Sequence, residues 1–127
     1  MSYRTILKSK IHRCTITDAD LNYEGSIGID ANLMEAADIY PYERVDVWDV
    51  TNGERFYTYA LTANPGEIIV NGAAARKVAK GDLLIIASWK HVDNRVFSGP
   101  EDPEDKFERP RLIFVDSSNR QINGNHD

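Results

Sequence analysis

The chain has 127 residues, 42% hydrophobic and 28% charged, enough for a single core, so one domain over 1–127 is expected. A formal charge of −5 argues against a general nucleic-acid binder, which carries a basic face, and no stretch approaches the roughly 20 apolar residues of a membrane span. The single cysteine, Cys14, excludes an intrachain disulfide and a cysteine-based metal cage, and it fits a reducing cytoplasm.

Residues 3–17 alternate as a strand does, with Ile6, Lys8, Lys10 and His12 on one parity and Thr5, Leu7, Ser9 and Ile11 on the other. The same stretch lacks the charged start, apolar run and cleavage site of an export signal. Lys10 and His12 therefore project from one face, about 7 Å apart along the strand. A solvated edge charge and an ordinary imidazole are their usual roles. Asp18-Ala19-Asp20-Leu21-Asn22 then breaks the pattern with turn-forming side chains.

Tyr23-Glu24-Gly25-Ser26 follows directly. A Gly-Ser pair ordinarily marks a turn. It can also be a reactive bond: glycine reaches backbone angles closed to other residues and can hold its carbonyl open to attack. The Ser26 hydroxyl is then the nucleophile, and aimed donors stabilise the oxyanion as the amide becomes an ester. Loss of the Cα proton from Ser26 expels the upstream chain as a carboxylate. The dehydroalanine that remains hydrolyses to an N-terminal pyruvoyl group.

Beyond this bond, Ser26-Ile27-Gly28-Ile29-Asp30 reads as a short strand. Asn32 with Glu35 resembles a capping box for a helix through Ala37, with Leu33, Ala36 and Ala37 on its apolar face. Pro41 ends it. Residues 44–63 predict a β-hairpin turning tightly at Asn52-Gly53, with Arg55, Tyr57 and Tyr59 on one face and Thr58 on the other. A surface charge and a cross-strand aromatic are the ordinary roles of Arg55 and Tyr59.

Asn64-Pro65-Gly66-Glu67 is a turn and Ile68-Ile69-Val70 a buried strand. Asn71-Gly72-Ala73-Ala74-Ala75 opens a short helix reaching Lys80, where small residues serve either close packing or ligand access to backbone N–H groups. Residues 83–89 form a central apolar strand, 91–110 an acidic solvated loop, 111–116 a last strand and 117–127 a polar tail expected to fray. Neither a Gly-rich phosphate loop nor a His-Glu-x-x-His zinc motif occurs, and no metal site is expected.

Several of these segments, in order, closely resemble the bacterial pyruvoyl-dependent aspartate 1-decarboxylases. The resemblance is carried by Lys10-Ile11-His12-Arg13, by residues 19–26 with Ile29-Asp30, by Thr51-Asn52-Gly53-Glu54-Arg55-Phe56-Tyr57-Thr58-Tyr59-Ala60, and by Asn71-Gly72-Ala73-Ala74-Ala75. It implies a mainly β fold, a double-psi β-barrel with two or three short helices, assembled as a homotetramer with sites between subunits. It implies a zymogen that cleaves itself at Gly25-Ser26 into a 1–25 β chain and a 26–127 α chain, with or without a maturation factor. The cofactor is then a covalent pyruvoyl group made from Ser26, which forms a Schiff base with L-aspartate.

The implied reaction yields β-alanine and CO2 for pantothenate, and so coenzyme A, synthesis. Tyr59 becomes the proton donor, since a phenol is protonated at neutral pH. Lys10 and Arg55 hold the substrate carboxylates, Thr58 contacts substrate and assists cleavage, and Gly72, Ala73 and Ala74 line the substrate site. His12, Tyr23 and Asn71 support the pocket. Two other readings remain: a pyruvoyl decarboxylase of another small acidic amino acid, and a non-catalytic β-barrel that binds a ligand or protein partner with Gly25-Ser26 an intact turn.

Overall fold

The N-terminal alternation becomes the longest strand, β1 (Tyr3–Thr15), in a computed structural model that describes residues 2–123. After it come β2 (Asp18–Asp20), β3 (Ser26–Asp30), helix α1 (Ala31–Ala36), β4 (Arg44–Asp49), β5 (Arg55–Ala63) and β6 (Ile68–Asn71). A 3-10 helix (Gly72–Lys77) leads to β7 (Leu83–Asp93), β8 (Arg111–Val115) and β9 (Gln121–Ile122). The architecture is mainly β, as expected. One mixed sheet holds all nine strands in the order β2-β6-β3-β5-β4-β7-β1-β8-β9, with β2 and β9 as its two edges. β3 runs parallel to β5, β2 to β6 and β1 to β8, while the other neighbours are antiparallel.

The core follows from alternating burial on β4, β6 and β8 and from β3, which is buried along its whole length. Ile27 and Ile29, Val45 and Val47, Ile68 and Val70, Leu84 and Ile86, and Ile113 and Val115 are all buried and meet Ile11, Leu33 and Met34 in one apolar cluster. Each such side chain contributes about 1.5–3 kcal/mol relative to an exposed one. Truncating Ile86 at its centre would cost about 2–5 kcal/mol. Cys14 lies in the same core, fully buried.

Several expectations are corrected by long-range pairing. Asp18–Asp20, read as a turn, is a short strand, because it finds Ile69, Val70 and Asn71 as parallel partners. The cap of α1 is Asp30, not Asn32: Asp30 Oδ1 accepts from the Asn32 N–H at 2.7 Å and the Leu33 N–H at 3.4 Å. Its Oδ2 accepts from the Gly66 N–H at 2.7 Å, so one carboxylate pins the helix start to the 64–67 turn.

The β4–β5 connection is wider than a two-residue primed turn. Residues 50–54 form the loop, Gly53 N–H donates to the Asp49 carbonyl at 2.8 Å, and of Asn52 and Gly53 only Gly53 has positive φ, at 82°. β7 continues to Asp93, inside the segment read as loop, because His91, Val92 and Asp93 pair with Thr5, Arg4 and Tyr3.

The polar tail is ordered as far as it is described. β9 pairs with Phe114 and Val115, and Asn119, buried at φ 61°, accepts from the Thr15 N–H at 2.7 Å. Its amide donates to the carbonyls of Thr15 at 2.8 Å and Gly66 at 2.9 Å. Residues 124–127 of the expected tail lie outside the described residues.

Candidate functional site

Ser26 opens β3 and is fully buried, while residues 21–25 before it are exposed. The bond in question thus joins an exposed loop to the edge of the core. Ser26 pairs across the sheet with Asn71, whose amide donates to Ser26 Oγ at 3.4 Å. The hydroxyl itself donates to the Glu24 carbonyl at 3.4 Å. Both bonds are long, and together they keep Oγ on the side of the upstream peptide with an amide donor beside it.

The requirement for glycine falls on Gly72, contrary to the expectation for Gly25. Gly25 is not among the positive-φ residues, and a Cβ added there meets nothing within 4 Å. Gly72 has φ 73°, and a Cβ there would lie 2.5 Å from Gly25 Cα, 2.8 Å from Gly25 N and 3.2 Å from the Tyr23 carbonyl. Only a residue without a side chain allows the two backbones to meet. Asn71 and Gly72 therefore act as a pair, the first on the hydroxyl and the second against the chain that leaves from it. Ala73 and Ala74 continue from this contact into the 3-10 helix, Ala73 exposed and Ala74 half-buried.

On the other side of β3, the parallel ladder aligns Ile27 with Ala60. Thr58 and Tyr59 end just before that register point, one strand from Ser26. The β4–β5 ladder runs without a register shift, so Arg55, Tyr57 and Tyr59 share a face as expected. Arg44 lies over the Tyr57 ring at 4.0 Å and Arg55 over the Trp48 ring at 4.5 Å. The Tyr59 ring stacks on Tyr42, with centroids 5.9 Å apart and planes 18° from parallel.

Lys10 and His12 do share the outer face of β1, between the two bulges that interrupt its pairing with β7. The His12 ring meets Phe114 edge to face at 5.6 Å. However, β1 is three strands from β5 in the sheet order, and Arg55 lies four residues, about 13 Å, along β5 from Tyr59. One chain thus brings together Tyr23, Gly25, Ser26, Asn71 and Gly72, with Thr58 and Tyr59 adjacent. In the order of the sheet, Lys10, His12 and Arg55 lie at other places than this group.

A cavity of about 570 Å³ reaches Ser26, Tyr23 and Asn71, and its wall carries the carboxyls of Asp18, Asp20 and Glu67. Sequence reasoning did not find this acidic wall, because its members come from two segments far apart in the chain, Asp18 and Asp20 in β2 and Glu67 in the turn before β6. A group of three or more side chains able to hold a metal ion is absent among the described residues. Nor is any helix among them long and apolar enough to cross a membrane.

Fold and site together define a mainly β protein with a buried serine behind a braced glycine bond and a tyrosine one strand away. A family model for aspartate decarboxylase matches residues 2–122. The chain is 58% identical over 119 residues to a protein of Syntrophus aciditrophicus (strain SB) named aspartate 1-decarboxylase, covering 92% of this chain and 96% of that one. Proteins of the same name from Syntrophotalea carbinolica and Chromobacterium violaceum are each 56% identical, over 91% and 92% of this chain and 84% and 88% of their own. The chain belongs to the aspartate decarboxylase family.

Proposed function

We propose that this protein decarboxylates L-aspartate to β-alanine and CO2, supplying pantothenate and coenzyme A synthesis in the cytoplasm, after cleaving itself between Gly25 and Ser26. Family membership supports the reaction. The observation that carries the cleavage is the pairing of buried Ser26 with the Asn71 amide where the backbone of residue 72 presses on that of residue 25.

A pyruvoyl group made from Ser26 fits this place. It is no bulkier than the serine it replaces, and the Asn71 amide is a donor suited to its oxygens. When present, its ketone supplies the electron sink for loss of the α-carboxylate.

The remaining work falls to the chain's own side chains. Arg55, with its planar fork, and Lys10 bind the two substrate carboxylates. Thr58 and the backbone from Gly72 through Ala73 and Ala74 orient the substrate, and His12 and Tyr23 support the pocket. Tyr59 delivers a proton to Cα after CO2 departs. The balance is one substrate and one proton giving β-alanine and CO2.

The separation of Lys10 and Arg55 from Ser26 within one chain favours a homotetramer in which neighbouring subunits complete each site. The acidic wall of the Ser26 cavity points the same way, because it repels the two carboxylates of the substrate and leaves their binding to the cations Lys10 and Arg55. A single domain folded as a double-psi β-barrel completes the proposal, with maturation spontaneous or assisted by a partner protein.

The test is intact mass under denaturing conditions combined with an aspartate decarboxylation assay. Active protein is expected as two chains divided after Gly25, and Ser26→Ala as one uncleaved, inactive chain. Full activity in Ser26→Ala would end the proposal.

A further inference from the structure

Among the described residues, five non-glycine residues adopt positive φ, and two of them are neither Asp nor Asn: Arg13, at the β1 bulge, and Tyr42, at φ 71°. A bulky side chain in this region is a true outlier and costs stability. Tyr42 follows Pro41 in a turn closed by the Glu43 N–H on the Tyr40 carbonyl at 3.0 Å, a position that ordinarily takes Gly or Asn. Burial within its own chain does not account for tyrosine there, since the residue is 75% exposed.

The surroundings hold this conformation firmly. Tyr42 N–H donates to the Ala60 carbonyl at 2.7 Å, and Ala60 N–H donates to the Glu43 carbonyl at 2.9 Å. Glu43 accepts from the Tyr40 N–H at 3.0 Å through Oε1 and pairs with Lys8 Nζ at 2.6 Å through Oε2. The turn is thus bound to the residue that directly follows Tyr59. What its strained member touches is the Tyr59 ring, lying nearly parallel at 5.9 Å. Strain kept in place by so many bonds, at a residue whose exposed ring meets one functional side chain, calls for a functional reason.

We infer that Tyr42 is a positioning residue for Tyr59: its ring packs flat on the Tyr59 ring and fixes where the phenol hydroxyl points during proton delivery. Tyr59 sits on a strand that sets its Cα, but the swing of the side chain is limited only by what lies against it. A stacked neighbour removes one side of that swing. Placement of a proton donor matters steeply for rate, because small displacements of a catalytic group lose much of the advantage of holding it. The inference rests on Tyr59 being the donor.

Three variants, each confirmed by mass to be cleaved, would be assayed for kcat and KM per processed chain, with Tyr59→Phe alongside. Tyr42→Gly removes the ring and relieves the backbone. Tyr42→Leu removes the ring but keeps a side chain at the same φ. Both are expected to lose about threefold to tenfold in kcat, the fall that corresponds to one aromatic stack, with KM within about twofold. Tyr42→Phe should recover at least about half of kcat, and Tyr42→Gly should melt no lower than the parent.

That combination separates positioning from a structural role, since a better-folded variant would be the slower one. Undiminished kcat in both ring-less variants would overturn the inference, as would a rise in KM alone or an equal loss in Tyr42→Phe. Normal turnover by Tyr59→Phe would instead remove the donor assignment, and the positioning role with it.

Discussion

Replacing Asp49 by asparagine is expected to stabilise the protein above pH 6 and to flatten its stability profile below neutrality. Asp49 ends β4 almost fully buried, where Oδ1 accepts from the Thr51 N–H at 2.9 Å and the Asn52 N–H at 3.0 Å. Its other oxygen is buried without a partner. Burial, then the neighbouring Asp82 carboxyl group, push the Asp49 pKa up from 3.8 to about 6, against the pull of the two backbone donors.

Because the folded value is the higher one, Asp49 contributes stability in full below about pH 3.8 and loses it as pH rises through about 6. The shift corresponds to roughly 3 kcal/mol of pH-dependent stability. Asparagine keeps the Oδ1 acceptor for both N–H groups, puts a donor where the orphan oxygen lay, and does not titrate. The measurement is urea unfolding of both proteins at equal concentration from pH 4 to 8. The gap between them should widen by about 2–3 kcal/mol across that range. Parallel profiles would refute the buried-carboxyl account of this loop.

Gly72→Ala should both destabilise the protein and block cleavage, because alanine at φ 73° carries about 1–2 kcal/mol of backbone strain and its Cβ would meet Gly25; an intact-mass time course showing normal processing would contradict the bracing role. Asn119→Ala should cost about 2–4 kcal/mol in urea unfolding, since it orphans the Thr15 N–H and two carbonyls at a left-handed position. A loss below about 0.5 kcal/mol would show that those groups find other partners. Tyr59→Phe should cleave normally yet decarboxylate poorly, as read by paired mass and β-alanine release.

Much of the strand layout was legible because half-buried strands write their geometry into alternate positions, as the runs containing Ile11, Val45 and Val47 do, and because a central strand such as the one containing Leu84 and Ile86 is apolar throughout. The shared face of Arg55, Tyr57 and Tyr59 followed from the same period and holds. Where the expectation failed, the deciding partner lay far along the chain. Asp18–Asp20 is a strand because of β6, β7 extends to Asp93 because of the first residues of β1, and the C-terminal segment is held by Asn119 reaching Thr15 and Gly66.

The sequence by itself determined the chemistry on offer: a glycine-serine bond, a hairpin carrying arginine and tyrosines on one face, and the small residues after Asn71. Residue types and the period of a strand are local properties, and they need no partner to be read. Only the tertiary structure decided that Gly72, not Gly25, is the glycine whose added Cβ would meet another backbone, that Asp49 has an orphan oxygen, and that Tyr42 leans on Tyr59. Each of these depends on how closely two distant backbones or side chains approach, a distance set by the packing of the whole sheet and written in no single stretch of the chain.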